Sequence, residues 1–296
     1  MAQVIPINPD AATDSPGRSR LEERLAAGLD FLHRRLSGRY EVDEFGFDPE
    51  LTDAVLIPAA RLLYEHWFRV ELRGLENVPP EGGALVVANH SGTLPLDGLM
   101  LQVALHDHAH RDVRLLGADL VYQLPLLGHL ARKAGHTLAH PADAVRLLTK
   151  GELVGVFPEG YKGIGKPFRE RYRLQRFGRG GFAGIALRTQ VPIVPCAIVG
   201  AEEIYPKIGD IPALARLLGL PYFPVTPTFP LLGALGAVPL PSKWLIRFGE
   251  PVPMDGLGPE DADDQMTVFE LTDRVRETVQ QMLYDTLLER GPPFYP

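Results

Sequence analysis

"GALVVANHSGTLPLDGLM", running from Gly83 to Met100, holds a strand, a loop and the start of a helix in one short stretch. Ala84 to Ala88 is a continuous apolar run, the pattern of a strand buried on both faces. Asn89 to Thr93 interrupts it with turn-forming residues, and Pro95 can open a helix whose first turn then contains Asp97. His90 therefore falls just past the carboxyl end of a strand, where open α/β sheets place their sites. A carboxylate in a first helical turn is kept ionised by the helix dipole. Next to an imidazole it can fix the tautomer and leave the other ring nitrogen as a general base. A histidine that merely packs accounts for neither the Asn-His-Ser-Gly turn nor an isolated Asp97 in an apolar stretch.

Working outward, the same alternation recurs. Short apolar runs at 68–74, 83–89, 112–118, 153–160, 192–200 and 244–252 predict strands. Helical patterns follow Leu96 and cover 126–133, 141–151, 180–189 and 267–290. The expected fold class is α/β, with a mostly parallel central sheet flanked by helices. Upstream, Leu21, Leu25, Leu29, Leu32 and Leu36 make one apolar stripe, and a second helix is expected from about Leu51 to Trp67. The expected organisation is a mobile N-terminus (1–18), an N-terminal helical pair able to associate with a membrane (19–69), and an α/β domain (70–296). The segment 211–244 breaks the alternation. It is rich in Pro and Gly and nearly uncharged after Arg216. It reads either as a buried irregular loop or as a hydrophobic loop that dips into a membrane interface or forms the mouth of a lipid-chain channel.

Composition narrows the function. A net charge of −7 argues against a nucleic-acid partner. The single cysteine, Cys196, excludes an intrachain disulfide and reads as a small buried hydrophobe. The N-terminus lacks the basic start and apolar core of a secretory signal, and no stretch offers the ~18 uncharged apolar residues of a spanning helix.

A second candidate region follows the strand at 153–160. "FPEGYKGIGKPFRERYRLQRFGRGGFAG" presents Glu159 and Gly160 and then a loop rich in Lys, Arg and Gly, suited to binding a phosphate. Its "GRGGFAG" is no dinucleotide fingerprint, because no buried strand directly precedes it. A serine hydrolase is disfavoured as well: the G-x-S-x-G elbow is absent, and Ser91 adjoins His90 too closely to serve as its nucleophile. "HDHAH" at 106–110 raises a metal site, but on a polar loop without evident carboxylate or cysteine partners it reads as a solvated turn.

"NHSGTLPLD", "FPEG" and "VPIVPCAIVG", in that order, resemble the motifs of the glycerolipid (lysophospholipid) acyltransferase superfamily. The likeness runs over roughly Glu71 to Glu250. The segment "FPLLGALGAVPLPSKWLIRFGEP" is similar to the branch resembling monoacylglycerol and diacylglycerol acyltransferases. The resemblance implies acyl transfer from acyl-CoA or acyl carrier protein to a hydroxyl of a lysophospholipid or acylglycerol at a membrane surface. No metal or cofactor is implied; acyl-CoA is a co-substrate. His90 would be the base and Asp97 would stabilise its imidazolium. Glu159, Gly160 and Lys162 would contact substrate, with Lys166 and Arg169 of the same loop, and Asn89, Pro192 and Pro195 would shape the pocket. The chain would be cytoplasmic and peripherally membrane-bound. Three features depart from the family pattern. Six residues, not four, separate His90 from Asp97, Tyr161 and Lys162 replace a Thr-Arg pair, and the intermediate Phe-Ile-Asp-Arg block is replaced by "GHLARKAGHTLAHP". The competing reading is a lipid- or acyl-CoA-binding regulatory protein without activity. A long-chain alcohol or a neutral mono- or diacylglycerol is the alternative acceptor.

Overall fold

The computed structural model describes residues 16–124 and 126–294. Most of the expected mobile N-terminus, residues 1–15, lies outside them; a helix, Pro16–Leu36, begins directly after. The chain divides into two compact units, 1–42 and 43–296. The second helical segment, 49–67, falls within the larger unit. It continues from Pro49–Leu51 through Ile57–Leu62 to Trp67 with two π-helical stretches, Thr52–Leu56 and Leu63–Trp67. Its place there is fixed by packing: Ile57, Ala60, Tyr64 and Phe68 are buried in the sheet's core.

The strands are β1 (Glu71–Arg73), β2 (Ala84–Ala88), β3 (Val113–Gly117), β4 (Thr137–Leu138), β5 (Leu153–Val156), β6 (Ile193–Val199), β7 (Gly209–Asp210), β8 (Pro224–Val225) and β9 (Leu245–Phe248). Seven form one sheet in the order β1-β9-β6-β2-β5-β3-β4, and β7 and β8 form a separate antiparallel pair. Every pairing in the large sheet is parallel except β6 with β9. The mostly parallel α/β fold follows from strands apolar on both faces. In β2, Val86 and Ala88 pack with Met100, Leu101 and Phe248 on one side. Leu85 and Val87 pack with Leu187, Val275 and Val279 on the other. The helix Leu96–His108 lies on the first side, and Gly181–Thr189 and Gln265–Arg290 on the second.

The segment 211–244 is buried only in part: Ser242 and Trp244 at its end have no exposed surface, while its leucines face outward. It forms a helix, Pro212–Leu218, then β8 and a 3-10 turn, Gly233–Ala237, and leaves Leu217, Leu218, Leu231, Leu232, Leu235 and Val238 exposed. Among the described residues no helix is long and apolar enough to cross a membrane.

Candidate active site

β2 delivers His90. Asn89, the residue before it, has no exposed surface and clamps the neighbouring strand by donating from Nδ2 to the Ile198 carbonyl (3.0 Å) and accepting the Ile198 amide at Oδ1 (2.7 Å). Its amide extends the β2–β6 ladder by one rung and fixes where the chain leaves the sheet. Pro192 and Pro195 act on the same strand. The Pro192 carbonyl accepts Leu85 N–H at the start of the ladder, and the Pro195 carbonyl accepts Gly249 N–H. Because a residue's N–H and C=O share one strand edge, the amide Pro195 lacks would face β9, whose regular pairing with β6 begins only at Cys196. These three residues shape the strand beneath His90.

The loop after His90 absorbs the long spacing to Asp97. Gly92 and Thr93 both take left-handed backbone (φ 95° and 65°), and Leu94 and Leu96 donate back to the Gly92 and Leu94 carbonyls. A Cβ on Gly92 would lie 2.7 Å from the Ala201 carbonyl oxygen, so glycine is required there. The two tight turns return Asp97, in the first turn of Leu96–His108, to the imidazole. His90 Nδ1 lies 2.8 Å from Asp97 Oδ2. Asp97 has no exposed surface and also accepts Ser91 N–H (2.8 Å) at Oδ2 and Gly98 N–H (2.9 Å) at Oδ1. A carboxylate already accepting two amides is suited to accept a third hydrogen bond from the ring, and in the neutral imidazole a proton on Nδ1 leaves the lone pair on Nε2. Nε2 has no partner among the described residues, and the His90 side chain is still 13% exposed. Ser91 is buried.

The loop after β5 closes over His90 from the other side. Phe157 stacks on the imidazole, with centroids 4.5 Å apart. Glu159 accepts His90 N–H at Oε1 (2.9 Å) and Gln175 N–H at Oε2 (2.6 Å). Glu159 is nearly fully buried, and its two oxygens join the His90 backbone to the Gln175 backbone. Gly160 (φ 54°) turns the chain into a short helix, Tyr161–Ile164. Within it, Gly163 lies against His90: a Cβ there would come within 2.7 Å of the His90 carbonyl oxygen and 2.7 Å of Glu159 Cβ. Phe157 was not singled out by sequence, and Gly163 only as one of the glycines of the basic loop. The signal available was only their place within three or four residues of "EG".

The basic loop divides. Lys162 and Arg169 are exposed, with Arg169 3.7 Å from Glu170. Lys166 instead points inward. Its Nζ lies 2.9 Å from Glu202 Oε1 and 3.7 Å from Glu159 Oε2, and donates to the Arg173 carbonyl (3.2 Å). Lys166 is therefore an internal tie between the Glu159 loop and the segment after β6. Burial pushes the Glu202 carboxyl up to about 7, against the opposing pull of Lys166. Lys207 is also held, donating to the Gly165 carbonyl (2.7 Å) beneath the Tyr222 ring. Tyr222 OH in turn donates to the Thr93 carbonyl, so the 205–241 segment borders the His90 loop. The void among Gly92, Gly163, Lys166, Glu202 and Lys207 is about 10 Å³, room for one water.

The "HDHAH" histidines do not converge. His106 and His108 end the helix Leu96–His108 rather than lying on a loop, and carboxylates are present. His106 Nδ1 meets Asp112 (3.0 Å) and its Nε2 lies 3.8 Å from exposed Asp53, so one histidine of the three has carboxylate neighbours. Cys196 is fully buried in β6, which pushes its thiol pKa up.

The family described as Acyltransferase matches residues 69–199, the stretch holding β1, the His90 loop, the Glu159 loop and β6. The chain belongs to the glycerolipid acyltransferase superfamily. An uncharacterized protein of Mycobacterium tuberculosis is 61% identical over 277 residues, 93% of this chain and 77% of that protein. A human protein named DGAT1/2-independent enzyme synthesizing storage lipids is 25% identical over 256 residues, 86% of this chain and 73% of its own. Among solved structures, the 1-acyl-sn-glycerophosphate acyltransferase PlsC of Thermotoga maritima shares the fold, with a TM-score of 0.50 and 22% identity over 78% of each chain.

Proposed function

We propose that this acyltransferase moves a fatty acyl group from acyl-CoA or acyl carrier protein to a hydroxyl of a lysophospholipid or acylglycerol at a membrane surface. The observation that carries this reading is the 2.8 Å contact between His90 Nδ1 and buried Asp97. His90 Nε2 takes the proton of the acceptor hydroxyl as its oxygen attacks the thioester carbon. The imidazolium that forms is stabilised by Asp97. The tetrahedral intermediate collapses with loss of the C–S bond, and the thiolate leaves as the thiol with the proton from His90. Glu159 and Phe157 hold the imidazole in place, so little reorganisation accompanies proton transfer. No covalent acyl-enzyme is needed, and no metal or cofactor enters the reaction.

Contact between His90 and Asp97 supports the enzyme over the inactive lipid-binding module. One observation favours a neutral acceptor within the acyltransferase reading. Lys166 and Lys207, the inward cations beside the His90 loop, are both bound internally, leaving exposed Lys162 to meet an acceptor phosphate. The storage-lipid name of the 25% identical relatives points the same way.

The test is release of free thiol from long-chain acyl-CoA with a panel of lysophospholipids, mono- and diacylglycerols and a long-chain alcohol. Acceptor-dependent release in the wild type, lost in His90→Ala, supports the proposal and names the acceptor. Release that persists in His90→Ala rejects His90 as the base, and acyl-CoA binding without release by the wild type returns the inactive module.

A further inference from the structure

Gln175, whose amide braces Glu159, is followed by Arg176, and at Arg176 a groove of about 410 Å³ opens between this loop and the helix Gln265–Arg290. The volume lies within the range of small-molecule sites, roughly 300–1,000 Å³. Arg176 and buried Phe177 line one wall; Phe269, Thr272, Asp273 and Arg276 line the other. The helical residues fall at i, i+3, i+4 and i+7, so one face of the helix is presented to the groove. Phe269 leaves 38% of its surface open. Arg276 reaches back to the Leu174 and Gln175 carbonyls at 3.4 Å, and neither it nor Arg176 has a carboxylate within ion-pair distance among the described residues. With Asp273 the lining is cationic by one charge, on a chain whose net charge is −7.

Two guanidinium groups without carboxylate partners fit phosphate oxygens. An open aromatic ring offers a stacking face for a planar base. A lone phosphate would use neither Phe269 nor most of the volume. We propose that this groove holds the adenosine 3′,5′-bisphosphate end of acyl-CoA, which makes acyl-CoA rather than acyl carrier protein the donor. The proposal rests on the acyl-transfer reading of His90. The separation suits it: His90 N–H, the Glu159 carboxylate and Gln175 N–H are joined by two hydrogen bonds, and Arg176 lies one residue, about 3.8 Å of Cα trace, beyond. A pantetheine arm, equivalent to four or five residues of extended chain at ~3.5 Å each, spans that gap.

The experiment pairs equilibrium binding of adenosine 3′,5′-bisphosphate to the full chain with steady-state kinetics on acyl-CoA and on the same acyl group carried by pantetheine, which has no nucleotide. Wild type, Arg176→Glu and Phe269→Ala are compared after their melting temperatures are matched; both side chains are exposed. The proposal expects Arg176→Glu to weaken nucleotide binding and raise KM for acyl-CoA by about tenfold or more, with KM for acyl-pantetheine within about twofold of wild type. Phe269→Ala is expected to do the same by about fivefold. Nucleotide that fails to bind the wild type, binding indifferent to both variants, or a KM change confined to the lipid acceptor would overturn it. If binding is lost in both variants but no acceptor ever releases thiol, the groove assignment stands and the acyl-transfer reading fails.

Discussion

At the residue scale the site is a histidine held from three sides: Asp97 on Nδ1, Glu159 on its backbone amide, and Phe157 on its ring face. Each contact has a distinct consequence. Asp97→Asn keeps the volume but removes the charge that stabilises the imidazolium, and kcat for thiol release should fall by about 10²–10⁴-fold with KM nearly constant. A loss below threefold would show that Asp97 is not coupled to the base. Gly163→Ala forces a methyl against the His90 carbonyl and Glu159 Cβ. It should lower kcat at least about tenfold and reduce the melting temperature by several degrees; a variant with wild-type kinetics would mean that the Tyr161–Ile164 helix is free to withdraw. His90 and Asp97 were legible in the sequence because a strand end, a turn and a helix start bracket them within one short stretch. Lys166 was legible only as a basic residue. Its inward direction is set by Glu202, 36 positions later in the chain, a pairing that no local pattern encodes.

At the element scale, strands buried on both faces were readable as apolar runs, and so was the parallel sheet. The antiparallel junction of β6 with β9 was not, because register and direction depend on which strand arrives beside which. Strands of two residues, such as β4, carry too little sequence to show a period. The proline-rich segment 211–244 was ambiguous for a physical reason: leucines in an irregular segment satisfy a core or a lipid interface equally well. The structure exposes them, with Leu231 at 84% and Leu235 at 72%. With the exposed stripe residues Leu29, Leu32 and Leu36 of the first helix, they are the proposed membrane contacts. Leu231→Asp with Leu235→Asp should lower co-sedimentation with phospholipid vesicles several-fold at unchanged melting temperature. Undiminished co-sedimentation in that variant and in one with the first helix deleted would exclude both contacts.

Across the whole molecule, the Glu159 loop is tied to the end of β6 through Lys166 and Glu202, and that end to the C-terminal helix through Arg290 and Glu203 (2.6 Å). The tie gives stability a pH dependence. Burial raises the Glu202 carboxyl from 4.5 to about 7, so the folded state holds a proton that the unfolded chain has released. Its contribution is full below pH 4.5 and is lost as pH rises through 7. The difference in melting temperature between wild type and Glu202→Gln should therefore shift against the wild type between pH 5 and pH 8, by a few degrees. A constant difference would mean that Glu202 stays ionised throughout against Lys166.

In the proposed mechanism His90 and Asp97 act as one base, despite the six residues between them. A double-mutant cycle on kcat/KM for acceptor-dependent thiol release, with His90→Ala, Asp97→Asn and both together, tests it most directly. If the pair is a unit, the double variant is no slower than His90→Ala alone. Losses that multiply would show that the two residues work independently.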